Sequence, residues 1–220
     1  MLPSPMDVLN AFIKDFAILM NHSRVSLLEA FLGLFLGIIL AFVLSVVMDR
    51  FNFLYKSFYP LIVITQTVPV IAIAPLMVLW MGYGIAPKVA LIVIVCFFPI
   101  LIALLDGYKT ADIDAINLLK VMGANELQIF VNLKLPSSLP SFFAGLKIAV
   151  SYSIVGAVIS EWLGSATGIG LGVYMTRVRK SYAFDKMFAV IFLITIISLL
   201  LIELVKFIEK KSMPWKKYKI

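Results

Sequence analysis

The chain has 220 residues, 62% hydrophobic and 14% charged, with a mean hydropathy of +1.06 and a formal net charge of +7. Soluble domains carry about 25% charged residues, so a water-soluble globule is excluded; the apolar residues fall in runs of roughly 20, the length that crosses a bilayer core as a helix. In such a chain the excess of basic residues marks a membrane face and meets lipid, with no nucleic acid implied.

Short alternating segments of the outer-membrane barrel type are absent. The expected fold class is an all-α membrane protein of about five transmembrane helices, with an N-terminal amphipathic helix and a polar loop between two spans. The first segment, MLPSPMDVLNAFIKDFAILM, lacks a basic start followed by an apolar core and so is no signal peptide. With Lys14 and Asp15 at its centre it is too polar to span, which predicts a short surface helix within an external segment 1–25. The transmembrane region is expected over 26–208. Its first span, 26–48, places Gly33, Gly37, Ala41 and Ser45 four apart on one face, where small side chains let helices approach in lipid.

The second span, 58–81, contains TQTVPVIAIAPLMVLWMG. Pro69 and Pro75 each remove a backbone donor and clash with the preceding turn, and Thr65, Gln66 and Thr67 lie just ahead of the first. Broken spans are tolerated where backbone faces protein or a water-filled path. Gln66 and Thr67 therefore either line a pathway or flank a kink satisfied by neighbouring helices. The third span, 86–106, holds the single Cys96, which has no disulfide partner in the chain.

The loop 107–139 carries NLLKVMGANELQIFVNLKLP. Gly123 can stop one helix in the left-handed conformation. Asn125 can cap the next, with Gln128 at the reciprocal position. Leu127, Phe130 and Val131 give that helix an apolar side, Ile113, Ile116, Leu119 and Lys120 continue the pattern upstream, and Leu135-Pro136 is predicted to end it. This helix, turn, helix and stop either lies on the membrane or presents a helix to a soluble partner.

The fourth span, 139–163, repeats the small-residue stripe at Gly145, Ala149, Ser153, Ala157 and Ser160, with Gly164 following. Two stripes predict a tightly packed bundle or a dimer. Lys147 lies about two turns in, close enough to snorkel to the interface. Glu161, beside the interfacial anchor Trp162, either sits at that interface or belongs to a gate, and Glu29 likewise opens the first span. The fifth span, 184–207, leads to a basic tail, 209–220.

Five spans put the termini on opposite sides. The side of the polar loop holds Arg50, Lys56, Lys109, Lys120, Lys134 and the C-terminal lysines, outnumbering Lys14, Arg24, Lys88, Arg177, Arg179, Lys180 and Lys186 on the other. The positive-inside rule then places the loop and C-terminus in the cytoplasm and the N-terminus outside.

Gly123, nine residues, Leu133, one residue, then Leu135-Pro136 resembles the cytoplasmic-loop signature of binding-protein-dependent ABC importer permeases. That family's loop usually opens with Glu-Ala-Ala six residues before the Gly, where this chain has Asn117-Leu118-Leu119. LPSPMDV, QTVPVIAIAPLMVLWMGYG, FFPILIALLDGY and LPSSLPSFFAGLKIAVSYSIVGAVISEWLGSATGIGLGVYM resemble the nitrate/sulfonate/taurine branch, and SEWLG followed by Gly168-x-Gly170 is similar to members that carry pyrimidine thiamine precursors. Members commonly have one more span ahead of the LPSP segment, so a short natural form or a late start is expected.

The resemblance implies the permease subunit of an importer with the type I transmembrane domain, multi-pass in a prokaryotic plasma membrane. Its coupling helix would comprise Asn117, Leu118, Leu119, Lys120, Met122, Gly123, Ala124, Asn125, Glu126 and Leu127. Implied partners are a cytoplasmic ABC ATPase dimer, an extracytoplasmic substrate-binding protein near Gly168 to Gly172, and a second permease chain, most simply in a homodimer. ATP and Mg would be bound by the ATPase; no cofactor, metal or catalytic residue is expected in this chain, which has no G-x-x-x-x-G-K-[ST] phosphate loop. Gln66, Thr67 and Pro69, with Ser151, Tyr152 and Glu161 opposite, form the expected translocation path for a small solute of the sulfonate, nitrate, taurine or pyrimidine-precursor class. The alternative is a self-sufficient secondary transporter using Glu161, against which no second half repeats the broken span. An intramembrane enzyme would need paired catalytic groups, and His22 and Cys96 stand alone.

Overall fold

A computed structural model describes residues 3–163 and 168–214. Helix α1 (Pro5–Lys14) begins where Ser4 Oγ accepts the Asp7 N–H at 3.2 Å and Asp7 Oδ2 accepts the Ser4 N–H at 3.0 Å, with Pro5 at the first helical position. It ends at Asp15, and α2 (Phe16–Arg50) then runs for 35 residues. The segment expected to lie wholly on the surface therefore divides at Asp15. Its second half joins the first span, with Leu19, His22 and Ser23 buried against protein instead of lipid.

Helices α3 (Asn52–Thr65) and α4 (Val70–Met81) are the two halves of the second span, bent by 100° at the break between them. Pro69 adopts an extended backbone and opens α4, while Thr65 and Thr67 Oγ1 donate to the carbonyls of Ile62 and Ile64 at 2.8 and 2.7 Å. Helix α5 (Ile85–Lys109) is the centre of the bundle, with Leu91, Ile92, Cys96, Ile100, Leu101 and Leu104 almost fully buried. A polar loop follows with α6 (Ile113–Val121), α7 (Glu126–Ile129) and a π-helical turn, Phe130–Lys134. Helix α8 (Leu135–Trp162) crosses back, α9 (Leu171–Lys180) lies in the next connection, and α10 (Phe184–Ser212) ends the described chain. Among the described residues, four helices are long and apolar enough to cross a membrane, or five spans if the bent pair is one.

Both small-residue stripes turn onto α5 within the same chain. A Cβ added to Gly33 would lie 2.4 Å from Ile92 Cγ2, and one added to Gly145 would lie 2.7 Å from the Pro99 carbonyl oxygen. The stripes thus pack a bundle, and lipid-phase association here rests on backbone approach. Gly164 lies outside the described residues. Pro136 does not end a helix as predicted. The chain is helical from Glu126 to Trp162 because the Leu135 N–H reaches the Phe130 carbonyl, five residues back, and the widened turn places Pro136 in the first turn of α8.

Candidate functional site

The polar loop is built from local chemistry. Asp112 Oδ1 accepts the Asp114 N–H at 2.9 Å and opens α6. Gly123 closes it with φ +85, a conformation other residues resist, and the Ala124 N–H returns to the Leu119 carbonyl at 3.0 Å. Asn125 Oδ1 accepts the Gln128 N–H at 2.9 Å, and Gln128 Oε1 accepts the Asn125 N–H at 2.8 Å, so the reciprocal cap is formed.

Asn117, Leu118, Lys120, Met122, Gly123, Asn125, Glu126 and Leu127 are exposed here, and Leu119 and Ala124 are half-buried. Val121 and Met122 are 85% and 73% exposed. The expected apolar side of α7 is split, since Leu127 and Val131 face outward while Ile129 is buried and Phe130 packs edge-on to Tyr108 at 5.2 Å. Lys134 Nζ donates to both carboxylate oxygens of Asp49 at 3.0 and 2.9 Å, tying the loop to the end of α2. A cavity of about 570 Å³ lies between them, lined by Val46, Asp49, Arg50, Asn125, Leu127 and Lys134. Asp49 stands in none of the quoted stretches and Tyr108 only closes FFPILIALLDGY, so no local signal marks either as a contact of the loop.

Gln66, Thr67 and Pro69 are exposed at the bend. Ser151 and Tyr152 lie on α8 along a face left uncovered by the chain, where Ile148, Tyr152 and Val155 are each about half exposed. Leu133, Leu135 and Pro136 lie at the π-helical turn and the start of α8. Glu161 is 1% exposed and is held by its neighbours. Ser26 Oγ donates to Oε1 at 2.6 Å and the Gly172 N–H donates to Oε2 at 2.5 Å. The Leu171 N–H reaches Ser26 Oγ at 2.8 Å and the Gly170 N–H reaches His22 Nδ1 at 3.0 Å. A Cβ on Gly170 would lie 2.4 Å from Glu161 Cδ, which accounts for the glycine there. The carboxylate thereby meets the positive end of α9 and fastens it to α2 and α8.

Two ion pairs replace interfacial placements. Lys147 Nζ meets Glu209 of α10 at 2.5 Å. Lys88 is buried in the first turn of α5 with its Nζ 2.7 Å from Glu29 Oε1, so it is no loop cation.

Residues 33–213 match the family described as the binding-protein-dependent transport system inner membrane component. The chain belongs to this family. The formylaminopyrimidine transport permease protein ThiX of Halalkalibacterium halodurans is 38% identical over 218 residues, 99% of this chain and 86% of that protein. The riboflavin transport system permease protein RibX of Chloroflexus aurantiacus is 31% identical over 98% of this chain and 80% of its own length. The taurine transport system permease protein TauC of Escherichia coli is 28% identical over 97% and 80%. Among solved structures, the MetNI methionine ABC transporter in an inward facing conformation superposes with a TM-score of 0.73 at 17% identity, covering 91% of this chain and 97% of that one. The fold is that of a type I importer's transmembrane domain, and the chain is a multi-pass permease subunit of an ABC importer.

Proposed function

We propose that two copies of this permease form the path for a small solute, with α9 and the N-terminus outside and the polar loop and C-terminus in the cytoplasm. Taking the buried Lys88 out of the external charge count widens the asymmetry that supports this orientation. The coupling element is α6 and α7, docked in a cleft of a separate cytoplasmic ATPase that holds ATP and Mg. A binding protein delivers solute on the opposite face. The observation that carries this reading is a helix pair with Leu118, Val121, Met122 and Leu127 exposed, on a loop anchored to three crossing helices. A helix presented to a groove needs such apolar anchors. Closure of the ATPases would push the loop, and the π-helical turn, the Lys134–Asp49 pair and the Phe130–Tyr108 contact would pass that displacement to α8, α2 and α5.

Gln66, Thr67 and Pro69 at the bend, with Ser151 and Tyr152 on the uncovered face of α8, are the proposed path residues. The solute class is sulfonate, nitrate, taurine or pyrimidine precursor, and the likeness to the formylaminopyrimidine permease favours the last. A secondary transporter driven through Glu161 is disfavoured by the hydrogen bonds that already occupy both oxygens of that carboxylate.

The test is recovery of an ATPase with the tagged chain from mild detergent, comparing wild type with Gly123→Asp, Gly123→Val and Met122→Asp. Wild type is expected to recover it, and the Val and Asp variants to lose it while still inserting. Met122 is exposed, so its change leaves the fold intact. Equal recovery with all four would overturn the coupling assignment, and recovery with none would turn attention to Glu161.

A further inference from the structure

Where α2, α5 and α8 meet at the start of α9, two buried carboxyls share one lysine. Glu29 of α2, Lys88 of α5 and Glu161 of α8 are 3%, 4% and 1% exposed. Lys88 Nζ lies 2.7 Å from Glu29 Oε1. The other oxygen, Glu29 Oε2, is buried with no hydrogen-bond partner among the described residues. The Glu161 carboxyl stands within hydrogen-bond range of Glu29. Ser26, whose hydroxyl meets Glu161 at 2.6 Å, is three residues before Glu29 and so on the same face of α2. Elsewhere in the bundle a carboxylate drawn inward has a lysine of its own: Lys186 for Asp15, Lys134 for Asp49 and Lys147 for Glu209.

Neighbouring charges do not make up the difference. On α2, His22 Nδ1 lies 3.0 Å from the Gly170 nitrogen and 2.8 Å from the Gly170 oxygen. The backbone N–H is a fixed donor, so Nδ1 accepts it and the ring is neutral. Arg24 of α2 and Arg177 of α9 are exposed, the latter reaching the Gly168 carbonyl at 3.4 Å. Lys186 of α10 is held by Asp15, and α4 has no ionisable side chain. Gly164, Ser165, Ala166 and Thr167, between α8 and α9 in sequence, bring none either. Two carboxylates ionised side by side and away from water would repel each other, and one of them would lack a counterion. A proton between them removes both costs and gives Glu29 Oε2 its missing bond.

We propose that Glu29 and Glu161 form a proton-binding site, sharing one proton so that together with Lys88 the joint of α2, α5, α8 and α9 is neutral. The site lies within one chain and needs neither solute nor partner to form. The proton belongs to the fastening of α9. Glu161 accepts the Gly172 N–H directly, and Ser26, bonded to Glu161, accepts the Leu171 N–H. A second negative charge here would set α2 against α8 directly at the start of α9.

The measurement is the infrared spectrum of the full chain in lipid nanodiscs at pH 7, with and without 13C in the glutamate carboxyls. Carboxyls open to water are ionised at that pH. The expected wild-type signal is therefore a protonated-acid carbonyl stretch that shifts with the glutamate label and responds slowly to D2O. Glu29→Gln and Glu161→Gln are each expected to abolish it whole, because the carboxylate left behind has Lys88 to itself. Lys88→Met is expected to raise it about twofold, since neither carboxyl then has a cation. Glu29→Gln still offers an acceptor to Lys88 and a donor to Glu161, so it is expected to keep the wild-type melting temperature. A band that survives in either Gln variant places the proton on another carboxyl and overturns the site. Absence of the band from the labelled wild type overturns it without any variant. A melting temperature that then rises in sodium chloride over choline chloride would identify a bound ion as the balancing charge.

Discussion

At the scale of single residues, glycine positions separate close packing from mere tolerance. Gly145 meets the Pro99 carbonyl oxygen and Ala103 Cβ within 2.7 Å of where a Cβ would sit, and neither backbone nor a methyl group can swing away. Gly156 on the same helix meets only Ile92, at 3.5 Å, an ordinary contact. Gly145→Ala is therefore expected to lower stability by roughly 1–3 kcal/mol, the usual cost of overpacking. Gly156→Ala should be neutral or mildly stabilising, since alanine suits a helix better. Thermal unfolding of the two purified variants in one detergent checks this; equal midpoints would show that α5 and α8 are not as closely apposed as described.

At the scale of elements, Asp15 joins four of them. It separates α1 from α2, accepts the Tyr174 hydroxyl of α9 at 2.6 Å, and pairs with Lys186 of α10 at 2.7 Å. Burial alone would raise its pKa, but the bonds from Lys186 and Tyr174 outweigh burial and hold the carboxyl below the ordinary carboxylate value. A depressed folded pKa contributes stability that is present above the unfolded value, about 4, and is lost as pH falls through the folded value. Asp15→Asn is accordingly expected to lower the melting temperature at pH 7 and to flatten its fall below pH 4; an unchanged acid limb would sink this account. Neither of these two partners was legible in the sequence, because each is fixed by how distant helices meet. What is local was legible: the apolar runs, the Asn125 cap and the Gly123 turn all follow from chemistry within a few residues. The failures have one physical form. The charges of Lys14 and Asp15 marked 1–25 as surface and steric rules marked Pro136 as a stop, whereas protein contacts bury Leu19, His22 and Ser23 and a widened turn accommodates Pro136. The bonds that hold Glu161 were no more legible, since its partners Ser26 and Gly172 lie on other helices.

At the scale of the whole molecule, the bundle joins the polar loop to α9 through α2 and α8. Helix α2 is fastened near its first turns to α9 by His22 and Ser26, and at its last turn to the loop by Asp49. It is thus a strut of 35 residues with a polar bond at each end. The Asp49–Lys134 pair is partly buried, with side chains 19% and 24% exposed, so it is weakly screened and its geometry is set by both carboxylate oxygens. Cutting it leaves α2 in place, because the Gly33 and Gly37 face still packs on α5. Asp49→Ala and Lys134→Ala are therefore expected to keep ATPase recovery in detergent while lowering the ratio of binding-protein-stimulated to basal ATPase activity several-fold, as the loop moves without carrying α2. The double exchange Asp49→Lys with Lys134→Asp should restore part of that ratio, since it re-forms the pair in reverse. A ratio unchanged in both single variants would mean that displacement of the loop reaches the far face through α8 alone.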